Sequence, residues 1–142
     1  MAQEHKELLF KDICTRLPYG VIVETPKGKG HVCDINLTIF GYEFGVNVNP
    51  TIRDNFSISY VKPYLFPLSS MTKEQLFEIQ EIFGKNEIEI EDGFLHIIDS
   101  DRNTISYSEI TTLLEWFYKN HFDINNLIAM KLAIDATGLN IY

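Results

Sequence analysis

Residues 3 to 17 place apolar side chains at Leu9, Phe10, Ile13, Cys14 and Leu17, the three-and-four spacing of a helix with one apolar stripe. Glu7 with Lys11 and Asp12 with Arg16 form i,i+4 pairs in the favourable order along it, and Pro18 and Gly20 end it. The period then changes. Val21 to Glu24 reads as a short strand and Pro26 to Gly30 as turn material. From Cys33 onward, Cys33, Ile35, Leu37 and Ile39 alternate with Asp34, Asn36 and Thr38, which predicts a half-buried strand. After Gly41 the alternation resumes at Tyr42, Phe44, Val46 and Val48, and again at Phe56, Ile58 and Tyr60 beyond a polar loop over 50–55. Four short sequential strands joined by turns predict a curled antiparallel sheet.

Lys62-Pro63-Tyr64-Leu65-Phe66-Pro67 reads as an extended connector, because each proline removes a ladder donor and pushes its predecessor out of the helical region. Thr72 and Gln75 form a capping box that opens a helix running to about Phe83 and stopped by Gly84. Glu87 to Glu91 alternates without a break, Asp92-Gly93 is a type I′ turn, and Phe94 to Ile98 returns. A two-residue turn sets the register, opposing Ile90 to Leu95, Ile88 to Ile97 and Glu89 to His96. A last long helix starts at Ser106, with Glu109 completing its capping box, and buries Tyr107, Ile110, Leu113, Leu114 and Phe117. Asn120-His121-Phe122-Asp123 closes it, before a short helical turn near 125–130 and an extended tail.

These elements predict an α+β fold: N-terminal helix, curled antiparallel sheet with an SH3-like partial barrel as its more closed form, Pro-rich connector, helix, β-hairpin and C-terminal helix. The 142 residues suffice for one domain with its own core. Residues 1–142 are expected to form that single domain, with the 62–71 connector the one place for a sub-boundary. No period repeats, so solenoid architectures drop out.

Hydrophobic residues make up 45% of the chain and aromatics 13%, which removes the disordered and low-complexity classes. Twenty acidic against twelve basic groups give a net charge of −8, so nucleic acid is a poor first partner. The imbalance is uneven: residues 1–71 hold seven groups of each sign, and 72–142 hold thirteen acidic against five basic. An acidic second half points to a basic protein partner. No apolar run reaches the roughly 18 residues a membrane span needs, and Leu8-Leu9-Phe10 sits among charges that no secretory leader tolerates. The expectation is a soluble cytoplasmic protein with no membrane partner. Cys14 and Cys33 lack C-x-x-C spacing and read as reduced thiols, Cys14 on the apolar face of the first helix.

The run Asp99 to Glu109 resembles an EF-hand loop, with Asp99, Asp101, Asn103 and Glu109 as candidate oxygen ligands. It lacks the sixth-position glycine, however, and Glu109 falls one residue short of the closing position, so a polar turn into a capped helix is the plainer reading. A zinc site from His5, Cys14, His31 and Cys33 meets a geometric objection, since His5 and Cys14 fall on opposite sides of a helix. Lys27-Gly28-Lys29-Gly30 leads into a strand and is not a P-loop. No nucleophile elbow, zinc helix or dinucleotide fingerprint occurs, and no cofactor is expected. Glu87, Glu89 and Glu91 with His96 across the hairpin form an acidic ridge, either a solvated strand or a dock for a basic partner.

Three segments, Leu8 to Val21 (LLFKDICTRLPYGV), Val61 to Gln75 (VKPYLFPLSSMTKEQ) and Leu114 to Ala136 (LEWFYKNHFDINNLIAMKLAIDA), together resemble a group of short bacterial proteins encoded in phage or prophage regions. Phe66 stands where that group's pattern has a basic residue. The resemblance implies an accessory protein of mobile DNA acting inside a bacterial cell, and it implies no catalytic residues. The expected function is non-enzymatic protein–protein interaction, through Tyr64 and Phe66 of the connector and through the acidic hairpin. The alternative is a small metal-dependent or hydrolytic enzyme using Asp and Glu of the C-terminal half.

Overall fold

A computed structural model describes the backbone of residues 1–49, 52–83, 87–91, 94–98 and 107–142, and the side chains of 1–49, 52–82 and 109–142. The fold is α+β, with α1 (Gln3–Arg16), β1 (Ile22–Thr25), β2 (Gly28–Thr38), β3 (Gly41–Asn49), β4 (Ile52–Ser57), β5 (Lys62–Leu65), α2 (Lys73–Phe83), β6 (Glu87–Glu91), β7 (Phe94–Ile98), α3 (Tyr107–Lys119) and β8 (Ile134–Asp135). The chain divides into two compact units, one of residues 1–65 with 125–142 and one of residues 66–124.

The first unit is built on an open six-stranded sheet of order β4-β3-β2-β1-β5-β8. Neighbours are antiparallel except β5 and β8, which pair in parallel through Tyr64 with Ile134 and Leu65 with Asp135. A closed barrel is therefore not formed. Helix α1 lays Leu9 and Ile13 on this sheet, against Val23, Val32, Phe44, Val46 and Phe56, with Leu127 and Leu132 from the tail. The same helical stripe holds Asp12 and Arg16, both fully buried. Sequence alone reads that pair as an ordinary helix-surface contact; in the fold it is interior. Arg16 Nε donates to Asp12 Oδ2 at 2.7 Å, Arg16 Nη2 to Oδ1 at 3.0 Å, and Asn125 Nδ2 to Oδ1 at 2.8 Å, so the two buried charges are paired with each other.

Three expectations about the sheet need correction. The alternation through Cys33 does not continue, because a β-bulge falls between Val32 and Asp34. Val32 is buried, Cys33 is exposed, and inward parity resumes at Ile35, which packs on the core. Of the expected polar loop over 50–55, residues 52–55 belong to strand β4 and residues 50–51 lie outside the described residues, while Ile58–Tyr60 is a short 3-10 turn. An edge strand tolerates Arg53, Asp54 and Asn55 because its polar side meets water.

The connector is also not a connector over its first half. Lys62–Leu65 is strand β5, paired to β1 by Val23 with Pro63 and Glu24 with Lys62. Pro63 has no N–H to give the ladder. Just past it, the Tyr142 hydroxyl accepts the Ile22 N–H at 3.1 Å and donates to the Tyr64 carbonyl at 2.8 Å. A side-chain hydroxyl thus bridges the two strands where a backbone rung ends.

The second unit packs α2 against α3 around Ile79, Leu113, Phe117 and Phe122. Its capping box forms as predicted: Gln75 N–H donates to Thr72 Oγ1 at 3.2 Å, and the Thr72 N–H donates to Gln75 Oε1 at 3.0 Å. Helix α3 buries Leu113 and Phe117, but Ile110 and Leu114 stay substantially exposed, contrary to the predicted stripe. Its expected cap, Ser106, and the side chain of Tyr107 lie outside the described residues. The helix ends in a Schellman arrangement. The Phe122 N–H reaches the Phe117 carbonyl at 3.0 Å, His121 N–H reaches the Tyr118 carbonyl at 3.1 Å, and His121 takes the left-handed φ of 62° usually given to glycine. Hairpin β6–β7 has the expected register, Ile90 opposite Leu95, Ile88 opposite Ile97 and Glu89 opposite His96.

Candidate functional site

The most exposed apolar group of the first unit sits at the tip of the β2–β3 hairpin. Strands β2 and β3 stay paired out to Thr38 with Gly41, which carries the connecting residues past the core. Thr38 Oγ1 accepts the Phe40 N–H at 3.1 Å and donates to the Gly41 carbonyl at 2.9 Å, a side-chain turn closed by Gly41 at a φ of 107°. Leu37, Ile39 and Phe40 are 74%, 94% and 89% exposed. Hairpin tips ordinarily carry Gly, Asn or Asp. Leaving Ile and Phe in water there forfeits about 1.5–3 kcal/mol of burial for each.

Beside the tip lies a groove of about 410 Å³. Helix α1 supplies Lys6, Glu7 and Phe10, at helical spacing along one face, and the hairpin supplies Phe40 and Tyr42. The Phe10 ring lies 4.6 Å from Tyr42 and 5.8 Å from Phe44, centroid to centroid. These tilted rings give the groove an aromatic floor held by the core beneath. Lys6 and Glu7 put one charge of each sign at its rim.

Behind the tip, the opposite face of the sheet is polar. Arg53 of β4 reaches across β3 to Asp34 of β2, with Nε donating to Oδ2 at 2.8 Å and Nη2 donating to Oδ1. The guanidinium passes over Gly45, where a Cβ would collide with both side chains. Asn36 Nδ2 donates to Asp34 Oδ1 at 2.8 Å. Arg53 holds the Asp34 carboxyl below its ordinary value, chiefly through the hydrogen bond.

The aromatic pair expected to form a contact surface is placed otherwise. Tyr64 is 4% exposed, and its hydroxyl donates to Glu24 Oε2 at 2.5 Å. Burial, and then Glu24, push its phenol up to about 12. Phe66 is half-buried, its ring 6.2 Å from Phe122, and its backbone bonds His121 and Asp123 on either side. Outward presentation of Tyr64 is thus incompatible with the fold. Strand pairing on both edges draws the ring in. Glu87, Glu89, Glu91 and His96 occupy β6 and β7, where the register sets Glu89 opposite His96; their side chains lie outside the described residues. So do Asp99, Asp101 and Asn103, and Glu109 stands in the first turn of α3.

Among the described residues, no three His, Cys, Asp or Glu side chains come together in a way that could hold a metal ion. His5, Cys14, His31 and Cys33 are therefore not a zinc centre. No helix among the described residues is long and apolar enough to cross a membrane. The exposed tip was not among the residues that patterning selects. Its sequence signal is nonetheless present, as Ile39-Phe40 standing where turn chemistry would be expected. In comparisons with known proteins, the chain matches no protein-family model, no curated protein and no solved structure.

Proposed function

We propose that this chain is a non-enzymatic interaction protein that holds a protein partner through the β2–β3 tip and the adjoining groove. The setting is the one its resemblance implies, an accessory role in phage or prophage biology inside a bacterial cell. The observation that carries the reading is the outward exposure of Leu37, Ile39 and Phe40 beside an aromatic-floored groove. Contiguous apolar surface of this kind, rimmed by polar groups, is characteristic of contact sites. A partner would insert an apolar anchor against Phe10 and Tyr42, the geometry in which a few aromatic contacts supply most of the affinity.

The test is affinity capture from bacterial lysate with the parent chain and with an Ile39→Ser, Phe40→Ser double variant. Both changed side chains are nearly fully exposed, so the melting temperature should be unchanged. The partner retained by the parent is expected to be lost from the variant. Recovery of the same proteins by both chains would dispose of the tip as the contact.

A further inference from the structure

A cleft lies at the end of the β2–β3 pairing, lined by both strands and by the tail. Their pairing ends at His31 with Asn47. Beyond that point Gly28 to Gly30 pair with β1, while Asn49 pairs with Ile52 of β4. The cleft measures about 530 Å³, within the range of small-molecule sites. Lys29 and His31 line one side, Asn47 and Asn49 the other, and Leu139 and Ile141 of the tail form an apolar wall.

The charge of this lining is unusual for the chain. Twenty of its residues are acidic, yet among the described residues lining the cleft none is Asp or Glu. The nearest acid by register is Glu24, opposite Lys29. Its carboxylate accepts the Tyr64 hydroxyl at 2.5 Å. The Lys29 ammonium rests over the Tyr64 ring, 5.4 Å from its centroid, and makes no ion pair among the described residues. The surrounding unit, residues 1–65 and 125–142, holds eight acidic and eight basic groups, so no net negative field repels an anion from it.

The geometry points to a binding site for a small organic anion, a phosphate monoester on an apolar body. Lys29 meets the phosphoryl charge as a point cation. His31 and the Asn47 and Asn49 amides offer further donors spread around it, and Leu139 and Ile141 cover the apolar body. This site lies at the opposite end of the β2–β3 pair from the tip groove and stands independently of the interaction reading.

Phenyl phosphate is the probe, titrated into the full chain while amide chemical shifts are followed by NMR. Saturable shifts are expected at Lys29 to His31 and Asn47 to Asn49. Inorganic phosphate, which leaves the apolar wall bare, should bind several-fold more weakly. Lys29→Gln should weaken phenyl phosphate binding about tenfold, the loss of one charge-assisted hydrogen bond, and His31→Gln should weaken it independently. Both side chains are exposed, and an unchanged melting temperature confirms that each variant folds. Non-saturating or scattered shifts, parental affinity in Lys29→Gln, or inorganic phosphate binding as tightly as phenyl phosphate would each overturn the site.

Discussion

Removing Asp12 takes two hydrogen bonds from the fully buried Arg16 guanidinium. The same carboxylate accepts from Asn125, so one substitution also removes a hydrogen bond between the helix and the tail. Asp12→Ala should cost about 3–5 kcal/mol, read as a fall in the urea midpoint; a cost below about 1 kcal/mol would mean that the pair behaves as a surface contact. Tyr64 and Tyr142 act on stability through their protons. Burial pushes both phenols up to about 12 from an ordinary 10.0. The folded chain holds these protons more tightly than the unfolded chain does. Their contribution is therefore fully present below pH 10 and is lost as the pH rises toward about 12. A Tyr64→Phe, Tyr142→Phe variant should show a flatter decline in urea midpoint over that window. An unchanged slope would mean that the phenols titrate alike in both states. Sequence shows that Asp12 and Arg16 are four apart; it does not show that a tail residue 113 positions away closes over them.

Helix starts and hairpin registers depend on neighbours a few residues away, and these were legible. Thr72 and Gln75 satisfy each other's backbone, so Thr72→Ala should cost about 1 kcal/mol in thermal unfolding. The bulge after Val32 and the strand that contains Pro63 were not legible, because each depends on a partner distant in sequence. Two glycines show the same dependence. A Cβ on Gly30 would overlap the Asn47 backbone carbonyl, whereas one on Gly45 would meet the side-chain ends of Asp34 and Arg53. Side chains can step aside and a paired strand cannot, so Gly30→Ala should cost more than Gly45→Ala, with Gly30 in the range of about 1–3 kcal/mol. Equal denaturation midpoints for the two variants would contradict the close approach at Gly30.

At the scale of the molecule, charge and packing divide along the same line. The unit of residues 66–124 carries the entire excess of eight negative charges, and the other unit carries none. Self-repulsion is screened by salt. Raising the ionic strength should therefore slow amide exchange at Ile79, Leu113 and Phe117 more than at Leu9, Val23 and Phe44; equal changes in both sets would show that the asymmetry has no energetic weight. The α+β class, the N-terminal helix, the capping box and the hairpin register were determined by the sequence itself, because periodicity, capping and turn chemistry act over a few residues. Tertiary structure alone decided that Tyr64 is interior, that the sheet stays open and ends on a parallel strand, and that Leu37, Ile39 and Phe40 stand in water. Those outcomes rest on which distant segments meet. An apolar residue in an alternating pattern is equally suited to a core or to a contact surface until its strand is long enough to carry it past the core.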